Sequence, residues 1–104
     1  MVKKKKLVIV GDGEFAGMAY EYFTYDSEYE VAAFAVEAAF REQEELFHLP
    51  VVDFEKITAL YPPEEYHTFV AVTYGRLNRI RTRLYKKCQE MGYTCASYIS
   101  SRAF

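Results

Sequence analysis

Three runs of consecutive apolar residues predict buried strands in this chain. They are Leu-Val-Ile-Val at residues 7–10, Val-Ala-Ala-Phe-Ala-Val at 31–36 and Phe-Val-Ala-Val-Thr at 69–73. Strands of a parallel sheet are covered on both faces and therefore read as continuous apolar runs, not as alternating ones. A shorter run at residues 50–52 predicts a brief edge strand, because a proline is tolerated at a strand start or edge. Residues 94–99 predict a last strand.

Apolar residues at helical spacing predict helices between these strands. The first stripe, on a helix from about residue 15 to 24, consists of Phe15, Met18, Ala19, Tyr22 and Phe23. The longest helix carries Leu77, Ile80, Leu84, Cys88 and Met91. Gly92 is a natural end for that helix. A basic row on its outer face, interpreted as solvated, comprises Arg76, Arg79, Arg83, Lys86 and Lys87.

The middle of the chain gives weaker signals. Residues 37–49 combine helix propensity with several charges and no clean stripe, so we expect a loop or one short irregular helix there. Residues 54–60 suggest a short helix, which Pro62 and Pro63 would stop. Strands that alternate with helices predict an α/β fold, a small Rossmann-like open parallel sheet flanked by helices with the first strand near its centre. At 104 residues, we expect one domain over residues 1–104.

A glycine-rich turn follows the first strand and opens the first helix. Gly11-Asp12-Gly13-Glu14-Phe15-Ala16 fits the dinucleotide-binding pattern G-x-G-x-x-G/A if Ala16 fills the third position. Backbone N–H groups at such a helix start, together with the helix dipole, form a seat for a phosphate. Asp12 and Glu14 are unusual beside a phosphate, because their charges would repel it. Their side chains either turn away or meet an amino or hydroxyl group of the ligand.

Further candidate residues follow the other two main strands. Glu37 comes directly after the second strand, where an acidic side chain can accept hydrogen bonds from a ribose or sugar hydroxyl. Thr73 and Tyr74 lie in the turn after the third strand. Asn78 and Arg81 lie one turn apart near the start of the long helix. Because the carboxyl ends of parallel strands share one edge of a sheet, we expect these residues to gather there.

Composition excludes several other function classes. The chain has a net charge of -2, so no overall field favours nucleic acid or an anionic membrane. The apolar segment after the N-terminal lysines is too short for an export signal or a membrane span, which predicts a cytoplasmic protein. Six residues separate Cys88 from Cys95, a spacing that fits no metal or redox motif, and His48 and His67 are isolated. We therefore expect reduced thiols, no metal and no catalytic residue.

Seven blocks of the sequence, in order, resemble the N-terminal domain of bacterial sugar acyltransferases of the sialic-acid O-acetyltransferase (NeuD or PglD) type. The blocks are residues 7–16, 29–37, 49–55, 61–66, 70–73, 77–81 and 92–103. The chain departs from the family pattern at three places: many members have a glycine where Glu14 stands, an Asp-Asp pair where this chain has Val36-Glu37, and a glycine near His48.

The resemblance implies a domain that binds a nucleotide-linked amino sugar on UDP or dTDP, within surface-glycan biosynthesis. Full-length members continue into a left-handed β-helix that binds acetyl-CoA, supplies the catalytic histidine and forms trimers. No hexapeptide repeat of that kind is found here, so we expect no cofactor site and no acetyl transfer by this chain alone. The positions that match the family's binding residues are Gly11, Gly13, Phe15, Glu37, Thr73, Tyr74, Asn78 and Arg81.

Two alternatives remain open from the sequence. The glycine loop and Glu37 also suit a dinucleotide-binding domain of an oxidoreductase or redox sensor of the NAD(P) type. The other alternative is an interaction module without a ligand, in which residues 98–104, with their aromatic side chains, mediate association.

Overall fold

The sheet is built from three parallel strands that bury both faces. The computed structural model describes residues 5–25, 27–71 and 78–96. In this part, β1 (Lys5–Val10) pairs in parallel with β2 (Tyr29–Val36) on one side and with β5 (Tyr66–Val70) on the other. The first strand is therefore interior to the sheet, as the sequence predicts.

Two shorter strands extend the sheet beyond β2. Strand β4 (Leu49–Asp53) pairs in parallel with β2, and the two-residue β3 (Glu45–Leu46) pairs antiparallel with β4. The sheet order is β3-β4-β2-β1-β5. The prediction of an edge strand at residues 50–52 is wrong in one respect, because β3 covers β4 and Pro50 pairs with Glu45. A loop was expected where β3 forms.

Helices cover the two faces of the sheet. The elements are α1 (Glu14–Tyr25), two 3₁₀ turns at Ala38–Phe40 and Phe54–Lys56, α2 (Ile57–Leu60) and α3 (Asn78–Glu90). On one face, Leu7 and Ile9 pack with Phe23 of α1 in the first core cluster. On the other face, Val8 and Val10 pack with residues that include Leu84 of α3 in the second. Alternate side chains of β1 thus enter opposite cores, which explains its continuous apolar run.

The chain after α3 returns along β5. Gly92 has a φ of +97°, which ends the helix in a conformation that a glycine adopts without strain. The N–H of Thr68 donates to the carbonyl of Thr94 at 3.1 Å, and the N–H of Ala96 donates to the carbonyl of Thr68 at 2.7 Å. The predicted last strand is present here as one parallel bridge between Thr68 and Cys95. Residues 97–99 of that prediction lie outside the described residues.

Strand β5 begins three residues before its predicted start and ends at Val70. Its first half reads as polar in the sequence, yet Thr68 is completely buried. No helix in the described ranges is both long and apolar enough to cross a membrane.

Candidate functional site

The carboxyl ends of β1, β2 and β5 meet at one edge of the sheet. Val10 is level with Ala35 on β2 and with Val70 on β5. The chain leaves β1 toward α1. The strands beside β1 come from different parts of the sequence, with β2 and β4 on one side of β1 and β5 on the other. Such a reversal of strand order leaves a crevice at the carboxyl edge, where open α/β sheets bind ligands.

Gly11 occupies the tightest point of this edge. Its φ is +124°, and its N–H donates to the carbonyl of Ala35 at 2.8 Å. A Cβ at this position would lie 2.7 Å from the carbonyl oxygen of Ala71, which is backbone and cannot swing away. Both the dihedral angle and the close approach therefore require glycine.

Gly13 has a different role, at the start of α1. Its carbonyl accepts the N–H of Gly17 at 3.1 Å, which is the first hydrogen bond of the helix. A Cβ on Gly13 would meet nothing within 4 Å. The start of α1, which carries the positive end of the helix dipole, therefore adjoins open space.

The acidic residues of the glycine loop differ from each other. The Gln43 amide donates to Oδ2 of Asp12 at 2.9 Å, so this carboxylate is tied to the segment that leads into β3. Glu14 is exposed in the first turn of α1, where a negative charge interacts favourably with the helix dipole. The ring of Phe15 packs edge-to-face on Phe69 of β5, with centroids 5.9 Å apart. Phe15 therefore helps to fix α1 on the sheet.

Glu37 forms a bidentate ion pair with Arg83 of α3. The guanidinium donates from Nη1 to Oε2 at 2.9 Å and from Nη2 to Oε1 at 2.8 Å. These hydrogen bonds lower the pKa of the Glu37 carboxyl below its ordinary value, and the positive charge of Lys87 acts in the same direction. Both oxygens predicted to accept a sugar hydroxyl are thus engaged within the protein. Arg83 was expected on a solvated face, and no local spacing connects it with a residue 46 positions earlier.

The remaining predicted site residues are only partly within the described residues. Thr73 and Tyr74 lie outside them. Asn78 and Arg81 belong to the first turn of α3, but their side chains lie outside the described part. Among the described residues, no group of three or more His, Cys, Asp and Glu side chains could hold a metal ion.

An open groove of about 560 Å³ begins at the glycine loop and continues along α1 to the β3–β4 turn. Its lining residues are acidic or small near the loop and apolar further along: Asp12, Gly13, Glu14, Gly17, Met18, Glu21, Leu46 and Phe47. Leu46 and Phe47 were not predicted to line a groove, because residues 37–49 were expected to form a loop or one short irregular helix.

The turn of that hairpin is strained. Phe47 and His48 have φ values of 52° and 67°, a conformation that hairpin turns usually assign to Asn or Gly. The Phe47 ring stacks on Tyr20 of α1 with centroids 4.8 Å apart and planes 3° from parallel. A Cβ on Gly17 would lie 3.4 Å from the Phe47 ring, so glycine at position 17 leaves space for that ring. Packing on α1 therefore holds the turn in place.

No protein-family model matches the sequence, and neither does any curated protein. Solved structures do match. The acetyltransferase domain of PglB from Neisseria gonorrhoeae FA1090 is 22% identical, with a TM-score of 0.67 over 86% of this chain and 42% of that one. UDP-D-quinovosamine 4-dehydrogenase from Vibrio fischeri is 11% identical, with a TM-score of 0.71 over 88% and 75%. RSP, a Rex-family repressor, is 11% identical, with a TM-score of 0.65 over 94% and 47%.

These similarities establish the architecture. The fold is Rossmann-like. The predicted α/β class is thereby confirmed, with five mostly parallel strands flanked by helices. The chain spans about two fifths of the length of the Neisseria domain that it matches. At these identities, the likeness extends to the fold and no further.

Proposed function

We propose that this chain is a nucleotide-sugar-binding domain of a bacterial acetyltransferase, of the sialic-acid O-acetyltransferase type that the sequence resembles. The observation that carries the proposal is the turn between β1 and α1. Its first residue, Gly11, has a backbone conformation and a close contact that only glycine tolerates, and the helix start at Gly13 adjoins open space. Such a turn suits the diphosphate of a nucleotide sugar. An acetyltransferase domain and a UDP-sugar dehydrogenase among the similar folds support the choice of ligand class.

In this proposal the diphosphate accepts hydrogen bonds from the first N–H groups of α1. Asp12 is held by Gln43, and Glu14 lies beside the ligand at the mouth of the groove. Thr73, Tyr74, Asn78 and Arg81 would contact the ligand from the β5 side. Acetyl transfer requires a general base and a thioester site. We assign neither to this chain, and we expect it to bind the sugar nucleotide without acetylating it.

A titration followed by amide NMR tests the proposal. UDP-N-acetylglucosamine and a dTDP-linked amino sugar are added separately to the isotopically labelled chain, and NADH is added in a third series. We expect both sugar nucleotides to shift the amides of residues 11–15, and NADH to shift them less at equal concentration. An absence of shifts in these amides at millimolar sugar nucleotide would refute the proposal. Stronger shifts with NADH would favour the dinucleotide-binding alternative instead.

A matched pair of variants tests whether the helix start is the phosphate seat. Asp and Asn are both favourable at the position that Gly13 occupies, so Gly13→Asp and Gly13→Asn should remain folded. The two side chains have the same shape and differ in charge. We expect Gly13→Asp to bind the sugar nucleotide at least about tenfold more weakly than Gly13→Asn, which corresponds to about 1.4 kcal/mol. Equal affinities would place the diphosphate elsewhere.

A further inference from the structure

Two cysteines that look unrelated in the sequence are neighbours in the fold. Cys88 lies in the last two turns of α3 and is completely buried, while Cys95 lies on the returning segment and is partly exposed. Gly92 reverses the chain between them, and the N–H of Tyr93 donates to the carbonyl of Cys88 at 3.0 Å. Cys95 packs against the second core cluster, to which Cys88 belongs, so the two side chains share one part of the core.

The position of Cys95 is fixed by the sheet. Its neighbours Thr94 and Ala96 both hydrogen-bond to the backbone of Thr68 in β5. The Thr68 hydroxyl lies 3.6 Å from the Cys95 sulfur, and this threonine is fully buried. A buried hydroxyl therefore contacts the sulfur of a partly exposed cysteine, and this cysteine packs against the core cluster that contains Cys88.

These contacts make the two thiols differ in acidity. Hydrogen bonds from Cys88 and Thr68 lower the pKa of the Cys95 thiol to about 6, although burial opposes the change. The hydrogen bond with Cys95 and burial raise the pKa of the Cys88 thiol. Cys95 is thus the more acidic and the more exposed of the two cysteines, which makes it the nucleophile of the pair, while Cys88 holds its proton more strongly.

We propose that Cys88 and Cys95 form an oxidation site, at which a peroxide converts the two thiols into a disulfide within the chain. The Cys95 thiolate attacks one peroxide oxygen, the O–O bond breaks, and a sulfenic acid and hydroxide result. The Cys88 sulfur then attacks the sulfenic sulfur. The S–O bond breaks as the S–S bond forms, and the Cys88 proton leaves with the departing oxygen as water. The site shares no residue with the glycine loop and stands independently of the proposed ligand.

Mass spectrometry of the peroxide-treated full chain tests the proposal. Both cysteines fall in one tryptic peptide, residues 88–102, because no lysine or arginine lies between Cys88 and Arg102. After treatment with hydrogen peroxide, the remaining thiols are alkylated. We expect this peptide to carry no alkyl group and to be lighter by two hydrogens than the same peptide with two free thiols. Reduction before blocking should restore both thiols. Two blocked thiols after peroxide, or disulfides formed only between chains, would overturn the proposal.

Single variants test the assigned order of reaction. In Cys88→Ala, the Cys95 sulfenic acid has no partner and should be captured by dimedone; in Cys95→Ala, Cys88 should resist peroxide. Oxidation of Cys88 in Cys95→Ala at the wild-type rate would refute the assignment. Because loss of a buried side chain can destabilise the core, iodoacetamide labelling of the folded wild type provides a second measurement. Cys95 should be alkylated at least about tenfold faster than Cys88, and equal rates would contradict the proposal.

Discussion

Replacement of Gly11 by alanine should strongly destabilise the domain. The new Cβ would lie 2.7 Å from the carbonyl oxygen of Ala71, and the residue would keep a φ of +124° that L side chains rarely adopt. Relief of the contact would force β1 away from the end of β5, where the N–H of Ala71 donates to the carbonyl of Val10 at 2.8 Å. The cost is therefore shared between the turn and the sheet.

The magnitude follows from two contributions. A residue held in a sparsely populated dihedral region costs about 1–3 kcal/mol. Overpacking against groups that cannot move costs about 1–3 kcal/mol more. We expect Gly11→Ala to lower the free energy of unfolding by about 2–6 kcal/mol, a large part of the roughly 5–15 kcal/mol of a typical domain.

Gly13→Ala is the matched control, because the same methyl group is added two residues later. Its Cβ enters open space, and the loss of a favourable helix-capping residue is offset by a less flexible unfolded chain. The free energy of unfolding should change by no more than about 1 kcal/mol. Urea unfolding followed by far-UV circular dichroism measures both variants, and it suits a chain without tryptophan. If Gly11→Ala is as stable as Gly13→Ala, the argument from close approach is refuted.

Three further predictions concern the ion pair, a half-buried histidine and the strained turn. Arg83→Gln should raise the pKa of Glu37, whose carboxylate loses two hydrogen bonds, and carboxyl NMR that shows no rise would contradict this. The Nδ1 atom of His67 is hydrogen-bonded to the Tyr29 hydroxyl at 2.9 Å. Burial lowers the pKa of this histidine, and the positive charge of Lys5 lowers it further. Its ring should therefore titrate below 6.5 by NMR, and the domain should lose stability as pH falls from 6.5 through the folded pKa, because the unfolded chain binds the proton more readily. His48→Gly should stabilise the domain by about 0.5–1 kcal/mol in urea unfolding, since relief of positive-φ strain exceeds the entropic cost of glycine; a loss of stability would contradict the strain.

The central part of the fold could be predicted from the sequence because burial on both faces leaves a simple signal. β1 and β2 read as continuous apolar runs. In the predicted stripe of α1, Ala19 and Phe23 are buried against them, whereas Met18 is exposed. β5 was placed too late, since Thr68 satisfies its polar groups inside the protein and reads as surface. The β3–β4 hairpin was missed because Phe47 and His48 carry no turn signal; their conformation depends on Tyr20, which is distant in sequence.

The same distinction applies to the candidate site. The turn from β1 through Gly11 and Gly13 into α1 is local, so the spacing of the glycines predicts it, whereas the approach of Gly11 to Ala71 depends on the end of β5. The engagement of Glu37 by Arg83 depends on how α3 packs beside β2, which no local pattern records. The contact between Cys88 and Cys95 likewise depends on the reversal at Gly92 and on pairing with Thr68. Spacing along the chain therefore predicts the turn itself, but not the partners that other elements bring to it.

The small strand β3 also covers one edge of the sheet. An exposed sheet edge offers unpaired N–H and C=O groups to the edge of another molecule, which is a common route to aggregation. Here the outer side of β4 pairs with β3, and the carbonyl of Glu44 accepts the N–H of Val51 at 2.9 Å. Because β3 has only two residues and β4 contains Pro50, little backbone is left for a neighbouring chain to extend. The hairpin thus protects the sheet against edge-to-edge polymerisation, and insertions there would have to preserve that cover.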